Sequence, residues 1–266
     1  MVDYSGSIGR AWKYSTNVQR LASIFLMMLV ASVIAISPLL LVYKTVSLGI
    51  FNLMALIQTF VWLLVGIVVG LLVFLYATLL FTHNYANQKS LRKSAGFAFS
   101  NYPKFLAVII VTGIITFVLS LAPFIGFILT IVAGLIFFFA YQEVAFRSSF
   151  SNTLKNSYNI FLENKLDTVI TFIVTGVFAF IIIVIFAIPL FAVGIMSVAS
   201  AMTTGAFMQA FMSNLGALVA AGLVLLLGLA FAVLFTNSIK TDVYMQLKKP
   251  LSFGKRKTLG RKKNIT

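Results

Sequence analysis

Long apolar runs alternate with short polar phrases along this chain. The runs lie near 21–43, 50–82, 105–121, 124–146, 166–193 and 215–239. Each is long enough for a helical bilayer crossing, which takes about 20 residues. Backbone groups cannot go unpaired in lipid, and the short alternating segments of a membrane barrel are absent, so the runs predict six helices. The expected fold class is all-α, a polytopic membrane protein. The run at 50–82 would be about 50 Å long as one helix, so it is expected to begin or end outside the lipid. The first run follows a mixed polar segment and leads straight into another span, the pattern of a retained span and not of a cleaved leader.

The polar phrases repeat. "SLRKSAGFAFSNYPK" at 90–104 and "TLKNSYNIFLENK" at 153–165 align without a gap when Ser90 is set on Thr153. Leu91/Leu154, Ser94/Ser157, Asn101/Asn164, Ile110/Ile173, Val111/Val174, Thr112/Thr175, Gly113/Gly176 and Phe117/Phe180 then coincide. A weaker third copy, "SIGRAWKYSTNVQR" at 7–20, carries Asn17 and then Arg20 ahead of the first span. The odd-numbered spans carry proline phrases at Pro38, Pro123 and Pro189, each expected to end its span because proline breaks the helix ladder. The predicted unit is a short polar helix, a span, a proline turn and a return span, written three times with pseudo-threefold character. Leu91, Ala95, Ala98 and Phe99, matched by Leu154, Tyr158, Phe161 and Leu162, fall on one helical face, as in a helix lying in the headgroup layer. The simpler alternative is an N-terminal extension of the span that follows.

Composition agrees: 61% of the 266 residues are hydrophobic and 9% charged, and the mean hydropathy is +1.07. Charge adds orientation. Every Lys and Arg except Lys44 falls in the N-terminus, the second-to-third connection, the fourth-to-fifth connection or the C-terminal side. Basic residues are retained in the cytoplasm during insertion, so both termini are expected there, in a multi-pass protein of the cell membrane. The six-helix domain is expected to fill 1–247. The segment 248–266, basic and free of acids, is expected to be a disordered cytoplasmic tail. Arg92, Lys93, Lys104, Lys155, Lys165, Lys255, Arg256, Lys257, Arg261, Lys262 and Lys263 are the candidate contacts to anionic headgroups. The expected partners are that bilayer and a membrane protein; no specific nucleic acid is expected.

Candidate chemistry is sparse. There is no cysteine; the acids are Asp3, Glu143, Glu163, Asp167 and Asp242, and His83 is the only histidine. All fall in terminal or interfacial segments, a pattern that disfavours proton transport through buried carboxylates and supplies no metal-ligand spacing. No cofactor or metal is expected. His83, Gln142, Glu143, Asn101, Asn164 and Asp167 form the candidate interfacial polar cluster. The simpler reading pairs Glu143 with Arg147, sets Asp167 at the positive end of the fifth helix and leaves His83 solvated at a helix end. "GIVVG" at 66–70 is expected to pack within the chain. Met196, Met202, Met208 and Met212 are expected to form an apolar face, not a copper site.

"QEV" at 142–144, the connector "SFSNTLKNSYNIFLENKLDT" and the hairpin "APFIGFIL" resemble a group of six-span prokaryotic membrane proteins. That group includes the membrane domain attached to some glycerophosphodiester phosphodiesterases. The resemblance implies an accessory membrane role without a defined reaction; no phosphodiesterase catalytic domain is present in this chain, so that activity does not carry over. The expected function is therefore a non-enzymatic membrane-organising or accessory module. The alternative is a facilitator or channel for a small or amphiphilic solute, favoured by internal repeats and disfavoured by unbroken spans. An intramembrane lipid enzyme would require Glu143, Asp167 and His83 to converge.

Overall fold

A computed structural model describes the backbone of residues 2–47, 53–146, 148–204 and 213–260, and the side chains of these except 39–47, 53, 55, 56, 204 and 249–260. The described residues are helical, with no strand among them. The helices are α1 (Tyr4–Ser15), α2 (Val18–Ser47), α3 (Leu53–Asn87), α4 (Leu91–Ser120), α5 (Gly126–Ile136), α6 (Ala140–Ala145), α7 (Phe150–Glu163), α8 (Lys165–Thr204) and α9 (Leu215–Gly260). Among the described residues, six stretches are long and apolar enough to cross a membrane: Val18–Pro38, Ile57–Asn87, Leu91–Ser120, Gly126–Ala145, Lys165–Thr203 and Leu215–Lys248. Their surfaces carry bare large side chains, among them Phe60, Trp62, Phe127, Phe180 and Phe191. In water such a surface would aggregate, whereas lipid covers it without cost. The chain is a multi-pass integral membrane protein.

Three expectations change. Only Pro123 falls where a helix has ended; α2 runs on past Pro38 and α8 past Pro189. Membrane helices tolerate proline because neighbouring groups can re-satisfy the freed carbonyl. The polar phrase at 90–104 is not a separate helix, since α4 runs unbroken from Leu91 through Asn101 and Pro103 into the span. The other two copies do form separate helices, α1 and α7. Finally, the fourth span is broken, with α5 ending at Ile136 and α6 beginning at Ala140. The backbone of α9 continues to Gly260, into the segment read as a tail.

Local chemistry accounts for the joints. Asn17 caps α2, its Oδ1 accepting the Arg20 N–H at 3.2 Å. Ser90 caps α4 and Ser149 caps α7, each accepting from the third helical N–H. Asn164 closes α7, donating from backbone and side chain to the Ile160 carbonyl, while its own carbonyl accepts the Thr168 hydroxyl of α8. Between α4 and α5, Phe124 adopts a left-handed φ of 63°. There a Cβ on Gly126 would lie 2.6 Å from the Ser120 carbonyl, so only glycine permits the tight turn.

The chain divides into two compact units. One comprises Met1–Tyr14, Thr78–Val177 and Phe235–Thr266; the other comprises Ser15–Ala77 and Phe178–Leu234. In the first, α4 packs on α5, α6 and α7, and α7 packs on α5 and α6. In the second, "GIVVG" seats α3 directly on α2. A Cβ on Gly66 would come within 2.7 Å of the Ile34 carbonyl and one on Gly70 within 2.8 Å of the Ala31 carbonyl. Met196 and Met202 are exposed apolar side chains; Met208 and Met212 lie outside the described residues.

Candidate functional site

The first unit holds a buried polar network built on two carboxylates. Helix α6, "AYQEVA", is almost wholly buried, and Glu143 within it is 0% exposed. A carboxylate cannot stay charged there without partners. Tyr244 donates its hydroxyl at 2.6 Å, Lys248 Nζ lies 3.1 Å from both oxygens, and Asn156 Nδ2 donates at 3.1 Å. The Ser148 hydroxyl donates as well. Lys248 also donates to the Tyr244 hydroxyl at 2.6 Å, so one turn of α9 supplies both a charge and a relay. Arg147, the expected partner of Glu143, lies outside the described residues.

The second carboxylate ties α1 to α9. Asp242 is 7% exposed. Arg10 grips it with a two-pronged contact, Nη2 to Oδ2 at 2.7 Å and Nε to Oδ1 at 3.1 Å. Ser7 at 2.7 Å, Gln246 at 2.9 Å and Tyr85 at 3.2 Å complete the shell. Asp3 caps α1 through the Gly6 N–H and reaches Arg10 at 3.5 Å. The Asp242 carboxylate holds the Arg10 guanidinium above its ordinary pKa. At the start of α1, Tyr4 donates to Asp167 at 2.9 Å, and burial pushes its phenol up to about 12.

The members of the expected interfacial cluster have different surroundings. His83 is buried, not solvated: it is 2% exposed, meets Ser94 at 3.2 Å and stacks on Phe97 at 3.8 Å. Asp167 takes Tyr4 and sits in the first turn of α8, as expected of an acid at a positive helix end. Asn101 donates back to the Phe97 carbonyl within α4, and Asn164 is the joint of α7 and α8. Gln142 is fully buried, and neither polar atom of its amide has a hydrogen-bond partner. Glu143, Asp167 and His83 thus have three separate sets of partners.

The repeated serines have a structural use. Where the fourth span breaks, the Ala140 N–H bonds to Phe137 and abandons the Ile136 carbonyl. Ser157 of α7, 0% exposed, donates to that carbonyl at 2.8 Å. Its counterpart Ser94, equally buried, meets His83.

Among the candidate lipid contacts, Arg92, Lys93, Lys155 and Lys165 are exposed and Lys104 is half-buried. None of the five joins an ion pair among the described residues. Lys93 lines an open polar hollow of ≈ 500 Å³ with Gly96, Phe97, Ser100 and Asn101. Side chains of Lys255, Arg256, Lys257, Arg261, Lys262 and Lys263 lie outside the described residues. No group of three or more potential metal ligands occurs among the described residues.

Sequence reasoning missed Arg10, Ser7, Tyr4, Tyr85, Tyr244, Gln246 and Lys248 as members of a network. One signal was present: Asp242/Gln246 and Tyr244/Lys248 are spaced four apart, each pair on one face of a single helix. The chain matches no family model, no curated protein and no solved structure.

Proposed function

We propose that this protein is a non-enzymatic membrane-organising or accessory module of the cell membrane, with both termini and the basic connectors in the cytoplasm. One observation carries the reading. The carboxylates Glu143, Asp167 and Asp242 are turned inward and bound, while Arg92, Lys93, Lys155 and Lys165 stand exposed without a counter-ion among the described residues. The network spends its acids on holding helices together and leaves a basic outer surface for anionic headgroups or an acidic partner. The resemblance of the connector to the phosphodiesterase-associated membrane domain points the same way. Purification in mild detergent after in-cell cross-linking is expected to recover a stoichiometric membrane-protein partner. Reporter fusions at both ends are expected to read cytoplasmic; a reporter active outside the cell would overturn the orientation.

The break at 137–139 favours a second reading, since transporters place discontinuous helices at their binding sites. Solute flux through reconstituted vesicles, above that of empty ones, would select the facilitator over the accessory role.

A further inference from the structure

Lys240 is a cation that the network leaves out. It stands two residues before Asp242, yet Arg10 takes that carboxylate and Lys248 takes Glu143. Among the described residues its ammonium has neither a carboxylate nor a hydrogen-bond acceptor. It lies 4.0 Å from the centre of the Phe138 ring and 5.5 Å from that of Tyr141. Two aromatic faces orient an ammonium and repay part of its desolvation, but they do not neutralise it. An ionisable group within an apolar span normally has a counter-charge, and one without it marks a site.

Three independent features meet at these rings. The span that carries them is irregular at 137–139, and such backbone is tolerated at membrane depth only where protein or a polar cavity shelters it. Gln142 follows Tyr141 and lies one turn beyond Phe138. Its fully buried amide keeps a donor and an acceptor unfilled, a costly arrangement that a ligand would relieve. The aromatic patch also runs outward, because Phe172, 41% exposed, packs edge-on to Phe138 at 5.7 Å.

We infer that Lys240, with Phe138, Tyr141 and Gln142, forms a discrete site for the phosphate of one anionic phospholipid. The ammonium supplies the charge, the amide N–H a hydrogen bond, and the rings an apolar wall for the glycerol end of the chains. The patch's continuation to the bare ring of Phe172 makes the occupant a lipid and not a soluble phosphate, since acyl chains cover such a surface and an inorganic phosphate does not. The inference does not depend on the accessory role proposed above.

The test is bound-lipid analysis of the full chain in nanodiscs of defined composition. Wild type in phosphatidylcholine discs doped with phosphatidylglycerol is expected to retain about one phosphatidylglycerol through delipidating washes. Lys240→Met is expected to weaken retention about fivefold or more, and Lys240→Arg to keep it. Lys89→Gln, which removes an exposed charge elsewhere, is expected to change nothing. Equal retention by wild type and Lys240→Met would overturn the site. If Lys240→Met fails to fold, wild type decides alone: its melting temperature must rise saturably with phosphatidylglycerol in otherwise neutral discs, and a flat response overturns the proposal. Stabilisation by inorganic phosphate in neutral discs, without any effect of phosphatidylglycerol, would reject the lipid as occupant.

Discussion

Replacing Ser157 by alanine tests the way α7 holds the broken fourth span. The Ile136 carbonyl would be served in a continuous helix by the Ala140 N–H, but that group bonds to Phe137. Ser157 supplies the missing donor at 2.8 Å from a fully buried position. Removing the hydroxyl leaves an acceptor that water reaches poorly, which costs about 1–3 kcal/mol for a buried unsatisfied group. Side-chain hydrogen bonds in membrane proteins average lower, about 0.6 kcal/mol, because the unfolded chain finds substitutes in the membrane. Here the acceptor is a backbone carbonyl at a fixed break with no alternative helical donor, so the upper range applies, about 1–2 kcal/mol. The assay is reversible unfolding in mixed micelles, with Ser157→Thr, which retains the hydroxyl, as the control. Ser157→Ala falling within about 0.3 kcal/mol of wild type would refute the argument, since that is the scatter of such measurements.

Glycine substitutions separate contact from flexibility. Gly66→Ala drives a methyl to 2.7 Å from the Ile34 carbonyl and is expected to lower the melting temperature. Gly113→Ala meets nothing within 4 Å and is expected to be neutral or to stabilise by about 0.5–1 kcal/mol. Glu143→Gln leaves Lys248 without its counter-charge, whereas Glu143→Gln with Lys248→Met removes both. The double-mutant cycle in the same unfolding assay is expected to give a coupling of about 0.5–3 kcal/mol. Asp242→Asn weakens the grip of Arg10, whose side chain is 51% exposed, so the loss of global stability is expected to be modest. Its clearer sign is release of α1, read as faster proteolysis within residues 4–15.

Legibility followed the reach of each force. The six spans were readable because a bilayer crossing asks only for local length and apolarity, and the helices at 18–38 and 215–248 lie close to the runs that foretold them. The prolines misled for the opposite reason. Pro38 and Pro189 look alike with Pro123 in sequence, but whether a helix breaks or bends there depends on what lies beside it. His83 was read as solvated because it ends an apolar run; the ring of Phe97 and the hydroxyl of Ser94, contributed by the next helix, bury it. Of the six polar residues grouped from their shared interfacial position, five have different partners and Gln142 has no hydrogen-bond partner, since a helix sets direction as well as depth.

The sequence by itself determined the class, the spans and the asymmetric placement of basic residues, all of them sums over neighbouring positions. Tertiary structure alone decided which acid meets which base. Glu143 and Lys248 are separated by 105 positions, and Asp242 and Arg10 by 232. A membrane asks the same thing of every span, so apolarity cannot say which helices adjoin. A buried carboxylate asks for particular donors at hydrogen-bond distance, and only the packed chain can bring them there.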